Sequence, residues 1–151
     1  MRNANVHAAA DQDSAVAAAG FSPRTGKYSS SMTSILIVDD EPLIRWSVGE
    51  SLAARGYNIV EAASALEART RLADRHDISV VLLDLKLPDS ADLTLLRTVL
   101  RQPDAPRVIL MTAHGSVEIL QEAVQAGAFR AISKPFDLDE MADIVREAVV
   151  A

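Results

Sequence analysis

The segment Ile35–Arg45, ILIVDDEPLIR, drives four aliphatic residues directly into three acids. An uninterrupted apolar run of this length reads as a strand buried on both faces, the kind found in parallel sheets. The acids that end it are harder to explain. Asp39, Asp40 and Glu41 are adjacent. Two unit charges about 4 Å apart cost roughly 4 kcal/mol at an effective dielectric near 20, so some other group must offset the repulsion.

Outward from this stretch, aliphatic runs alternate with helical periodicity. The further runs are Ile59–Val60, Val80–Leu83, Val108–Met111 and Ala131–Ile132. Pro42 suits the first turn of a helix carrying Ile44, Val48 and Leu52 on one face, with Gly56 at its end. Trp46 is expected to be partly packed near that face. Ser64 with Glu67, and Asp137 with Glu140, have the spacing of capping boxes ahead of the second and last helices. Leu93, Leu96 and Leu100 mark a third helix, and Val117, Leu120, Ala123 and Val124 a fourth that stops at Gly127. Repeated strand–helix alternation gives an α/β fold with a parallel sheet. No glycine-rich loop follows the first strand, which argues against dinucleotide and P-loop nucleotide binding.

Residues 1–33 differ from the rest. They are rich in Ala, Ser and Gly and contain no Leu or Ile, so a disordered N-terminal extension is expected there, followed by one domain over 34–151. The chain has 151 residues, no cysteine and a net charge of −6. Absence of cysteine excludes a disulfide framework and thiolate metal sites, and suits a reducing cytoplasm. The negative charge disfavours direct DNA binding and binding to anionic lipid, and no apolar run is long enough for a membrane span.

Polar residues stand where the strands end. Asp39 and Asp40 end the first, Asp84 the third, Thr112 the fourth and Lys134 the fifth. Open parallel sheets carry their sites at this carboxyl edge. Taken singly, each residue has a plainer reading: turn acids, a strand-end hydroxyl, a solvated lysine. Taken together, they describe an acidic cup suited to Mg²⁺, a hard cation that takes oxygen ligands and offsets carboxylate repulsion. Beside such a cation the Asp84 carboxylate could attack phosphorus, with Lys134 and Thr112 holding phosphoryl oxygens. His7, His76 and His114 have no metal-ligand spacing.

The segments ILIVDDE, VVLLDLKLP, MTAHGS and GAFRAISKPF stand in an order and spacing that resemble the receiver domains of two-component response regulators. MTAHGSVE and EAVQAGAF most resemble receivers of the enhancer-binding transcriptional activators. The resemblance spans Ser34–Ala151, about four-fifths of the chain. It implies a flavodoxin-like (βα)5 three-layer sandwich with a parallel five-stranded sheet in order 2-1-3-4-5. It implies that Asp84 is the phosphoacceptor, taking a phosphoryl group from a sensor histidine kinase or a phosphotransfer protein. Mg²⁺ would be held by Asp39, Asp40, Asp84 and the backbone carbonyl of Lys86. Thr112 and Lys134 would grip the acyl phosphate, helped by the amides of Leu85 and Ala113. Lys86 and His114 would flank the site, and Lys134–Pro135 would be a cis peptide. A downstream protein partner would read the face of the fourth helix, fifth strand and fifth helix, and the protein would be a monomer or a phosphorylation-dependent homodimer.

Two positions depart from the family pattern. Ala131 stands where the family carries an aromatic that rotates inward on phosphorylation, so that movement is excluded here. Asp92 stands where the family usually has glycine. The expected function is a stand-alone phosphoacceptor, with at most self-dephosphorylation rather than enzymatic turnover. Alternatives are an unphosphorylated receiver-like interaction module, the truncated receiver of a multidomain transcription regulator, and a phosphatase with an aspartyl nucleophile. The last is disfavoured because Lys86, not a second acid, stands two residues after Asp84.

Overall fold

The aliphatic runs become five strands: β1 Ser34–Val38, β2 Asn58–Ala62, β3 Ile78–Asp84, β4 Arg107–Thr112 and β5 Arg130–Ser133. Five helices alternate with them: α1 Pro42–Ala53, α2 Ala65–Asp74, α3 Thr94–Leu100, α4 Val117–Ala126 and α5 Leu138–Val150. The structure is a computed structural model and describes residues 32–113 and 115–151. All strand pairs are parallel and the order is β2-β1-β3-β4-β5. This is the (βα)5 arrangement the resemblance implies. Except for Met32 and Thr33, the expected extension 1–33 lies outside the described residues, as does His114.

Side-chain alternation along the strands sorts the core into two layers. Ile35, Ile37, Val80, Leu82, Ile109 and Met111 meet α1 and α5 through Val48, Leu52, Met141 and Val145. Leu36, Val38, Val81, Leu83, Val108 and Leu110 meet α2, α3 and α4 through Ala68, Leu72, Leu96, Val99 and Ala123. The four aliphatic residues that open the quoted stretch are all fully buried. Each such side chain contributes roughly 1.5–3 kcal/mol by leaving water.

The helix signals hold with local differences. Pro42 occupies the first turn of α1, but the helix ends at Ala53, before the turn at Gly56 with φ +95°. Ser64 Oγ accepts from the Glu67 amide at 3.1 Å, whereas Glu67 returns to the Ala63 amide rather than to Ser64's. Asp137 caps α5 through the Asp139 amide at 3.0 Å, not through Glu140's. Gly127 ends α4 at φ +117°, a left-handed conformation that L side chains rarely adopt. Trp46 is not packed as the periodicity predicts: it is 61% exposed, beside Leu43 at 71%. The reason is phase, since Val48 and Leu52 take the sheet-facing stripe of α1 and residue 46 falls outside it.

Candidate functional site

The register fixes which chain ends meet. Val38 pairs with Leu83, so the next residues, Asp39 and Asp84, leave adjacent strands at the same level. Asp84 pairs in turn with Met111, and Thr112 with Ser133, which brings Lys134 to the same edge. Between β1 and β3 the strand order reverses direction, and open α/β sheets form their crevice at that point.

Asp39 is fully buried, Asp84 is 6% exposed and Thr112 is 3% exposed. Lys134 Nζ donates to Asp39 Oδ2 at 2.7 Å, to Glu41 Oε1 at 3.0 Å and to Asp84 Oδ2 at 3.4 Å. Asp39 Oδ1 accepts the Glu41 amide at 2.9 Å, and Asp84 Oδ1 accepts the Lys86 amide at 3.2 Å. A pocket of about 430 Å³ opens over this cluster, walled by Asp40, Glu41, Asp84, Lys86, Leu87, Pro88, Thr112, Ala113 and Lys134. The Lys134–Pro135 peptide is cis.

Burial raises the Asp84 carboxyl above the ordinary carboxylate range, and the charge of Asp39 adds to it; Lys134 and the Lys86 amide pull the other way. For Lys134, burial favours the neutral amine. Hydrogen bonds to Asp39 and Glu41 and the charges of Asp39 and Asp84 outweigh it, and the ammonium is pushed up to about 12. The lysine is therefore a fixed cation among carboxylates.

The structure thus brings together Asp39, Asp84, Thr112 and Lys134 as the strand-end pattern predicts. Asp40 is exposed on the pocket wall. One oxygen each from Asp39, Glu41 and Asp84 lie within 4.8 Å of one another. Glu41 is a donor that the strand-end pattern does not single out, although it stands in the quoted stretch. The signal that points to it is an Asx-type turn: Asp39 accepts the amide two residues on and swings Glu41 toward Lys134. The backbone donor is also different. Leu85's amide is committed to the Met111 carbonyl at 3.2 Å, so Lys86's amide is the one facing Asp84.

This site fits a hard divalent cation. Its donors are carboxylate oxygens, they converge, and they outnumber the neighbouring lysines. Arg45 steadies the acidic turn from outside, with Nη1 donating to the Asp39 carbonyl at 2.6 Å and Nε to Glu61 at 3.1 Å. Asp92 is not part of the site. Its carboxylate accepts the Thr94 amide at 2.9 Å at the start of α3, and that bond holds it below the ordinary range.

Comparison with known proteins agrees with this geometry. The family model for the response regulator receiver domain matches residues 35–146. The chain is 36% identical over 113 residues to sporulation initiation phosphotransferase F of Bacillus subtilis, covering 75% of this chain and 90% of that protein. It is 38% identical over 115 residues to the regulatory protein AtoC of Escherichia coli, covering 76% of this chain but 25% of that protein. Among solved structures, a CheY-like receiver domain protein from Methanospirillum hungatei aligns with TM-score 0.75 at 29% identity, covering 80% of this chain and 95% of that one. The receiver domain of NtrX from Brucella abortus aligns with TM-score 0.71 at 32% identity, covering 78% and 98%. With its sheet order, its acidic carboxyl edge and this match in agreement, the chain belongs to the response regulator receiver domain family.

Proposed function

We propose that this chain is a phosphoacceptor of a two-component system, taking a phosphoryl group onto Asp84 from a phosphohistidine of a sensor histidine kinase or phosphotransfer protein. The observation that carries the reading is the placement of Asp84: a nearly buried carboxylate at the end of β3, sharing a lysine ammonium with the carboxylates of Asp39 and Glu41. One Asp84 oxygen attacks phosphorus as the bond to the donor's imidazole nitrogen breaks. Lys134 shifts its ammonium to the incoming phosphoryl oxygens. The Thr112 hydroxyl and the amides of Lys86 and Ala113 line the pocket where those oxygens would sit. Mg²⁺, held by Asp39, Asp40, Asp84 and the Lys86 carbonyl with Glu41 as a further donor, would supply neutralising charge for the transferring group. In this reading the protein acts in the cytoplasm and does not turn over a substrate beyond losing its own phosphoryl group.

The partner-facing side would be α4, β5 and α5. Two valines counted in the α4 periodicity, Val117 and Val124, are 67% and 51% exposed. With Leu120, Phe129 and Ala131 they line an open apolar groove. Ala131 supplies no ring to rotate, so the response would travel through Thr112 and the loop into α4. Ala131 is also the observation that favours a second reading, an interaction module that is never phosphorylated. Incubation with acetyl phosphate separates the two. A Mg²⁺-dependent mass gain of one phosphoryl group, lost in Asp84→Ala, is the expected result; no gain in wild type would leave the interaction module.

A further inference from the structure

The loop that leaves β3 forms one wall of the pocket through Lys86, Leu87 and Pro88. It is closed on itself, with the Leu87 amide donating to the Ser90 carbonyl at 2.7 Å and the Ser90 amide returning to Leu87 at 3.3 Å. Leu87 is 5% exposed and anchors the turn in the core. At the tip, Asp89 reaches away from the pocket. Its Oδ1 accepts the Ala65 amide at 2.7 Å and its Oδ2 accepts the Leu66 amide at 3.0 Å. These are the first two amides of α2, and Ser64 takes the third, that of Glu67. Bonds from the Ala65 and Leu66 amides hold the Asp89 carboxyl below the ordinary carboxylate range.

A helix start needs acceptors for its orphan amides, and a local side chain normally provides them. Here two acceptors come from a carboxylate 23 residues beyond Leu66. We propose that Asp89 is a positioning residue: it ties the tip of the 85–90 loop to the start of α2 and thereby fixes the pocket wall that carries Lys86. The inference rests on the proposed function for the identity of the cation. Asp89 touches neither cation nor phosphoryl group; it acts through the loop.

Ser64→Ala is the matching control, because it removes a cap from the same helix without touching the loop. Three proteins are compared: wild type, Asp89→Ala and Ser64→Ala. Mg²⁺ binding is measured by calorimetry with no phosphodonor present, and hydrogen exchange is followed at the Lys86, Leu87 and Ser90 amides. Asp89→Ala is expected to weaken Mg²⁺ binding by about 3- to 10-fold, at or below the usual effect of losing an outer-shell partner, and to speed exchange in the loop. Ser64→Ala should lower the Tm similarly and leave both readings unchanged. If Asp89→Ala folds too poorly to measure, Asp89→Asn, which keeps one acceptor oxygen, should show a smaller loss of the same kind. Equal Mg²⁺ binding and equal loop exchange in wild type and the Asp89 variant would overturn the inference alone. A wild type that binds no Mg²⁺ would overturn both the inference and the cation of the proposed function.

Discussion

Asp84 in its ionised form is buried away from water and sits against Asp39, and Lys134 offsets only part of that cost. Its carboxyl is raised in the folded protein, so the stability it contributes is complete below the unfolded carboxyl range and is lost as pH rises through the folded value. At neutral pH the charge is a net cost. Asp84→Asn is therefore expected to melt higher than wild type at pH 7 without Mg²⁺, with the gap closing as pH falls through the folded value. A pH series of thermal melts checks the sign; a variant less stable than wild type at pH 7 would contradict it. Lys134 shows where single-residue reading misleads. Read from sequence, a strand-end lysine is a solvated charge, and Lys134→Ala should leave folding largely intact. Its side chain is in fact 10% exposed and pairs with a fully buried Asp39. Removing it strands that carboxylate, and the Mg²⁺-free protein is expected to lose about 2–4 kcal/mol in denaturant unfolding. Added Mg²⁺ should restore more stability to this variant than to wild type, because a ligand of the native state stabilises it by mass action.

Strands sheathed on both faces were legible from the sequence in full; helices with one free face were legible as helices, but which of their apolar residues face the core was not. The short continuous runs of β1, β3 and β4 read directly as buried strands, and Pro42 and Gly127 mark helix boundaries by backbone chemistry alone. Periodicity does not tell a core-facing stripe from a partner-facing one, which is why Val117, Val124 and Trp46 look like core residues and stand in water. That surplus on α4 gives a prediction at this scale. Val124→Glu should leave the unfolding free energy within about 0.5 kcal/mol of wild type, as surface substitutions usually do. Phosphoryl uptake should also be unchanged, while the response of the downstream partner is lost. A partner that responds normally to this variant would place the output surface elsewhere.

Across the whole molecule, function depends on register. Asp39, Asp84, Thr112 and Lys134 are far apart in sequence, and the parallel pairing of β1, β3, β4 and β5 sets them at one edge. The strand-end pattern revealed that edge. It could not reveal that Glu41 turns toward Lys134, that Leu85's amide belongs to the sheet, or that Asp89 reaches across to α2, because each depends on turn geometry. The chain spans 90% of the Bacillus phosphotransferase but about a quarter of AtoC, so the same receiver architecture serves proteins of very different extent. The central claim is that this edge captures phosphorus on a single carboxylate. Treatment with acetyl phosphate and Mg²⁺, then borohydride, converts an aspartyl phosphate to homoserine, which peptide mass spectrometry can locate. Homoserine at position 84 and at no other acid is the predicted result; conversion at Asp39 or Asp40, or none anywhere, would contradict the account.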